Sequence, residues 1–176
     1  MSRTTRHIAL VMAVLLVLSG CGRVKPQGAA NKQEADSTAL ALMQMNFLMA
    51  LETDQMLVDS VRESGLPYVL DQHNFWYYRL ESSEGEEVQR GNRVEYTATV
   101  RDLSSGALIE DITEEVEVGK GQTLRAIDMC LPLMKTGEMF CILAPYYTAY
   151  GRDGNDHVPP LTNVKITLFV HNITKI

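Results

Sequence analysis

The sequence of 176 residues predicts an α+β protein: an antiparallel sheet of about five strands with one short helix, preceded by a separate N-terminal helix. Three observations predict it. From Thr38 to Ser64 there is no proline or glycine, and apolar residues recur at helical spacing. After residue 67 the apolar period changes to two, as in half-buried strands. The segments between those strands are mostly short and turn-rich, so hairpin-like antiparallel connections follow.

The elements are justified in chain order. The chain opens with MSRTTRH, carrying Arg3 and Arg6, and Ile8 to Leu18 is then an unbroken apolar run. That run is too short for a stable membrane span and reads as the apolar region of a signal peptide. It ends in Leu18-Ser19-Gly20-Cys21, similar to a bacterial lipobox, in which the cysteine receives the lipid. The expectation is a lipoprotein signal peptide over residues 1–20, with Cys21 as lipidation site and membrane anchor. A plain secretory signal with a chance cysteine is the other reading. The lipidated form belongs in the cell envelope, at the periplasmic face of the outer membrane. Removing residues 1–20 takes away two basic and no acidic residues, so the net charge of −6 becomes −8.

Residues 21–35 are polar, aperiodic and contain glycine and proline, which suits a flexible tether. Residues 36–66 form the expected helix, with Asp36-Ser37 able to cap it and Gly65 and Pro67 to stop it. Leu40, Met43, Phe47, Ala50 and Leu51 hold the helical spacing, and Leu57, Val58 and Val61 extend it less regularly. The Met-rich first half is apolar over more than one face. It can pack on the following domain, pair with a second copy through residues 38–64, or hold a client.

Residues 67–176 form the main domain. Phe75 to Leu80 has strong strand propensity, and Glu81 to Asn92 is a charged, Gly-punctuated loop. Val94, Tyr96, Ala98 and Val100 alternate with polar residues in a strand that ends at the Ser104-Ser105-Gly106 turn. Ala107 to Val118 returns as a strand with an irregularity. Leu124 to Met134 has helical spacing, limited by Pro132. Lys135-Thr136-Gly137 turns into the strand Glu138 to Ala144. The long loop YTAYGRDGNDHVPP, Tyr147 to Pro160, precedes the last strand, Asn163 to Asn172, with its alternating Val164, Ile166, Leu168 and Val170.

Several chemistries find no support. The net charge of −6 and the lack of a Lys/Arg stripe argue against nucleic-acid binding. Cys130 and Cys141 show neither CxxC spacing nor a His/Cys cluster, so they read as a disulfide or as two separate buried thiols. His7 falls in the signal, and His73, His157 and His171 lack ligand spacing, so no metal site is expected. The GKG run at Gly119 to Gly121 lacks the ending and helix context of a phosphate loop.

The order strand-turn-strand, then GKGQTLRAIDMCLPLMKTGE, then APYYTAYGRDGNDHVPPLTNVKITLFV, resembles an FKBP-type peptidyl-prolyl cis-trans isomerase. The resemblance covers roughly Gly91 to Ile173. Its most specific parts are the Leu133 to Glu138 turn, Ala149-Tyr150-Gly151, and Pro159-Pro160 ahead of an alternating strand. The wider layout of lipobox, helix, FWYY and this domain is similar to the gliding-motility-associated FKBP-type lipoproteins. The resemblance implies an FKBP-like twisted sheet wrapped on the short helix, with the Tyr147–Pro160 loop overhanging a pocket for a substrate proline.

Carried over residue by residue, it implies that the Tyr150 hydroxyl binds a substrate carbonyl and that Tyr96 walls the pocket, both as catalytic residues. The substrate-binding set is Ile109, Glu110, Asp111, Leu124, Ile127, Val158 and Ile166. The tryptophan that usually floors such pockets is replaced by Ile127, and two wall phenylalanines by Ile109 and Ile166. A third falls near Glu114, and the usual aspartate is Glu110 or Asp111. The activity implied needs no cofactor: it assists folding of exported, proline-containing polypeptides. The other function is a weakly active or non-catalytic FKBP-like chaperone or binding module, because the aromatic lining is reduced.

Overall fold

The computed structural model describes residues 32–175; the expected signal segment, Cys21 and the tether up to residue 31 lie outside the described residues. The chain divides into two units, Met1–Met45 and Asn46–Ile176. Helix α1 (Lys32–Ser64) runs through that division. Its backbone is helical from Lys32, ahead of the expected Asp36-Ser37 start. The stretch Lys32 to Ala35 holds good helix formers and no breaker, so the tether reading is corrected there. In the first unit Leu40, Leu42, Met43 and Met45 are exposed.

In the second unit α1 shows a buried stripe at Thr53 and Leu57, four residues apart and so on one face. The helix ends where expected. Gly65 takes φ +64° and its N–H returns to the Arg62 carbonyl at 3.3 Å, a left-handed close that glycine alone adopts freely.

Six strands follow: β1 (Val69–Leu70), β2 (Trp76–Glu81), β3 (Arg93–Asp102), β4 (Leu108–Glu117), β5 (Met139–Ala144) and β6 (Val164–Thr174). They form one sheet in the order β1-β2-β5-β6-β3-β4, and each neighbouring pair is antiparallel. The strand beyond the expected five is β1, whose two residues are too short to show a period.

Alternation is strictest in the neighbouring strands β3 and β6. Val94, Tyr96, Ala98 and Val100 of β3 and Val164, Ile166, Leu168 and Val170 of β6 are fully buried. They meet Phe140, Ile142 and Ala144 of β5 in a single core. Each large aliphatic side chain so buried stabilises the fold by about 1.5–3 kcal/mol.

Helix α2 (Arg125–Cys130) completes that core with Ala126, Ile127 and Cys130. It is shorter than the sequence predicts, because Pro132 converts its end to a 3₁₀ turn, Leu131–Leu133. Cys130 and Cys141 are both buried and unpaired, and burial raises their thiol pKa values. The disulfide reading therefore does not hold.

A buried carboxylate explains the GKG run. Asp128 of α2 accepts hydrogen bonds from the Gly119 N–H at 2.7 Å and the Gly121 N–H at 3.3 Å. Another, Glu138, pairs with Arg79 at 2.9 Å and accepts from the Lys135 N–H at 2.9 Å. Both follow the rule that a buried charge must be partnered.

Candidate active site

The site begins with a defect in the β3–β4 ladder. Val100 pairs with Glu110 while Arg101 pairs with Leu108, so Ile109 is an extra residue on β4. Such a bulge lets two successive side chains lean to one face. Ile109 packs against the core, and Glu110 shares the face of its partner Val100. Asp111, by contrast, lies on the outer face, where it accepts from the Thr99 hydroxyl at 3.1 Å. Of the two acids that the sequence left open, the bulge brings Glu110 to the site side and leaves Asp111 off it.

Further along the ladder, Tyr96 of β3 faces Glu114 of β4. The fully buried Tyr96 donates its hydroxyl proton to the Glu114 carboxylate and lies 2.7 Å from the Thr123 hydroxyl. Burial first, and then the Glu114 carboxylate, raises its pKa far above the ordinary value. Its hydrogen-bonding capacity is committed within the protein.

Tyr150 differs. It stands in the loop between β5 and β6, after the 3₁₀ turn Tyr146–Thr148. The N–H groups of Ala149 and Gly151 both return to the Tyr146 carbonyl, at 3.1 and 2.7 Å, so the chain closes tightly around Tyr150. Gly151 takes φ +78°, which lets the chain leave this turn without strain. The ring packs against the core, and the hydroxyl is a buried polar atom without a hydrogen-bond partner. Burial, followed by the nearby Glu110 charge, raises its pKa. The Glu110 carboxylate acts on the phenol both by its charge and by a hydrogen-bonding approach, but that approach falls short of a formed hydrogen bond in this geometry.

The rest of the loop is built as a closed unit. The Asn155 side chain accepts from the N–H groups of His157 and Val158, at 2.9 and 2.8 Å. A side chain on Gly154 would meet the Val158 carbonyl oxygen at 2.1 Å. The Leu161 N–H returns to the Arg152 carbonyl at 3.2 Å, and the Thr162 hydroxyl to that of Pro159 at 2.7 Å. On its outer side the Tyr147 hydroxyl donates to Asp54 of α1, and the Arg152 guanidinium to Asn46 at 3.1 Å.

Tyr96, Ile127 and Ile166, all fully buried, and the partly buried Ile109, Leu124 and Tyr150 all belong to the single hydrophobic core of the domain. Val158 is buried in the loop but is not a member of that cluster. Sequence reasoning missed Thr123, Asp54 and Tyr147, and gave Glu114 only as a neighbour of a lost aromatic. The signal for Glu114 was its place directly across the strand pair from Tyr96; nothing local in the sequence signalled Asp54.

Chemically, the site offers an O–H donor in apolar surroundings beside a carboxylate. A carbonyl oxygen entering there would find the donor already desolvated, where a hydrogen bond is strongest. Fold and site together define a small α+β domain whose site combines apolar contact with a single positioned donor.

Residues 84–169 match the family described as FKBP-type peptidyl-prolyl cis-trans isomerase, so this part of the chain is an FKBP-type domain. Solved structures share the fold. A peptidyl-prolyl cis-trans isomerase from Pseudomonas syringae pv. tomato is 18% identical with a TM-score of 0.60, covering 72% of this chain and 94% of its own. The N-terminal domain of FKBP42 from Arabidopsis thaliana is 21% identical with a TM-score of 0.55, covering 61% and 91%. FkpA from Escherichia coli is 14% identical with a TM-score of 0.58, covering 99% and 83%. No curated protein matches the chain by sequence.

Proposed function

We propose that this FKBP-type domain isomerises X-Pro bonds in exported polypeptides and so assists their folding, held at the membrane by a lipid on Cys21. The observation that carries the catalytic part is the buried, unpartnered Tyr150 hydroxyl beside an apolar cluster. An X-Pro bond crosses a barrier of roughly 20 kcal/mol because rotation breaks amide resonance. The planar amide is more polar than the twisted one, so an apolar site raises the ground state relative to the transition state. A donor that holds the carbonyl in the twisted geometry adds to the effect. A protease-coupled proline-peptide assay on residues 22–176 tests this: turnover above background is expected. Its absence in the wild type would sink the catalytic reading.

The export and anchoring part rests on the apolar run and Leu18-Ser19-Gly20-Cys21 in the sequence. Cys21→Ser should release or misprocess the protein, as followed by membrane fractionation with lipid labelling. Unchanged labelling would remove the anchor.

A second reading has its own observation. Phe47, Leu48 and Leu51 of α1 are 66%, 62% and 55% exposed, which suits a surface that holds unfolded clients. On that reading Phe47→Glu abolishes suppression of client aggregation while Tyr150→Phe leaves it intact.

A further inference from the structure

We propose that Asp54 of helix α1 is a positioning residue for the Tyr150 hydroxyl, acting through Tyr147; this rests on the isomerase reading of the same site. The Tyr146–Thr148 turn is a single 3₁₀ turn, too short to hold its own orientation, and Tyr150 follows it directly. The turn is pinned from two sides. On one side its first N–H, from Tyr146, donates to the Asn163 side chain at 2.9 Å. On the other, the Tyr147 hydroxyl donates to Asp54 Oδ1, a residue 93 positions earlier in the chain.

Packing alone does not fix this second contact. A cavity of about 90 Å³ opens beside it, lined by Asp54, Leu57, Val58, Leu70, Asn74 and Trp76. The Tyr147 ring meets Tyr146 edge-on at 5.2 Å, and its hydroxyl is held by the charge-assisted hydrogen bond to Asp54. Meanwhile Thr53 and Leu57 are buried on the same helix, so Asp54 is presented from a seated element. Helix α1 thus reaches the site without touching substrate. Its carboxylate holds Tyr147, Tyr147 holds the turn, and the turn aims the phenol of Tyr150, whose carbonyl-binding geometry tolerates little displacement.

The test uses the full-length chain, with isomerase turnover and amide hydrogen exchange measured in parallel. Asp54→Ala should lower kcat about threefold to tenfold with KM unchanged, as expected when a displaced group acts in the transition state. Asp54→Asn keeps an acceptor oxygen and should stay within about twofold of wild type. Tyr147→Phe should match Asp54→Ala, and the double variant should be no worse than either single one. Exchange at the Ala149 and Gly151 amides, both bonded to the Tyr146 carbonyl, should rise in Asp54→Ala and Tyr147→Phe. Should the wild type prove inactive, the isomerase reading fails, and these two amides still decide whether Asp54 holds the turn. Wild-type exchange at both amides in Asp54→Ala and Tyr147→Phe, or an additive loss of turnover in the double variant, would overturn the proposal.

Discussion

A buried phenol without a partner is an energetic liability, and Tyr150 carries one. Leaving such a group unsatisfied costs about 1–3 kcal/mol, and removing it relieves that cost. Tyr150→Phe should therefore hold or slightly raise stability in urea denaturation, while turnover drops by a factor of a few up to about tenfold. Tyr96 predicts the reverse. Its hydroxyl serves Glu114 and Thr123, so Tyr96→Phe strands a carboxylate and should cost about 1–2 kcal/mol of stability. Equal stability losses for the two variants would refute the distinction between them. At Ile127 a larger ring tempts the designer, since an aromatic floor is common in the family. Ile127 is 0% exposed, however, so Ile127→Trp should destabilise by about 1–3 kcal/mol through overpacking, seen as a lower thermal midpoint.

Among the elements, those with a complete local period were legible. Strand β3 alternates cleanly and β6 does so from Val164 to Val170, before an extra residue at His171 shifts its register, and their inward residues are the buried ones. Helix α1 was legible because nothing between Thr38 and Ser64 interrupts it. The bulge in β4 was legible as an irregularity but not in its consequence. Whether Glu110 or Asp111 faces the site depends on which residue is extra, and that is a property of pairing with β3. Long-range partners were invisible for the same reason: Asp128 binds amides 7 and 9 residues back, but Tyr147 meets a residue 93 positions away. The loop before β6 was recognisable by its ends, while its closure depends on Gly154. That residue takes φ +67° and sits where a methyl would collide with the Val158 carbonyl. Gly154→Ala should open the loop, raising hydrogen exchange at the Val158 amide and lowering isomerase efficiency. Wild-type exchange there would show that the loop can absorb a side chain.

At the scale of the whole molecule, eight of the 15 exposed large apolar side chains among the described residues lie on α1. Met43 is 71% exposed in the first unit and Phe47 66% in the second. Sedimentation of residues 22–176 should reveal self-association that Phe47→Glu with Leu51→Glu abolishes; a wild type that stays monomeric at high concentration would leave client holding as the use of these residues. The order of the sheet has another consequence, one of timing. Strand β6 comes last of the six in sequence yet lies between β5 and β3, bonded to both. Until it emerges from the ribosome, the chain can build only the β1-β2-β5 and β3-β4 fragments, each with an unpaired inner edge. Such edges recruit other chains. A nascent copy halted anywhere before Val164 thus lacks the strand that joins its two halves, and cannot begin to shield itself.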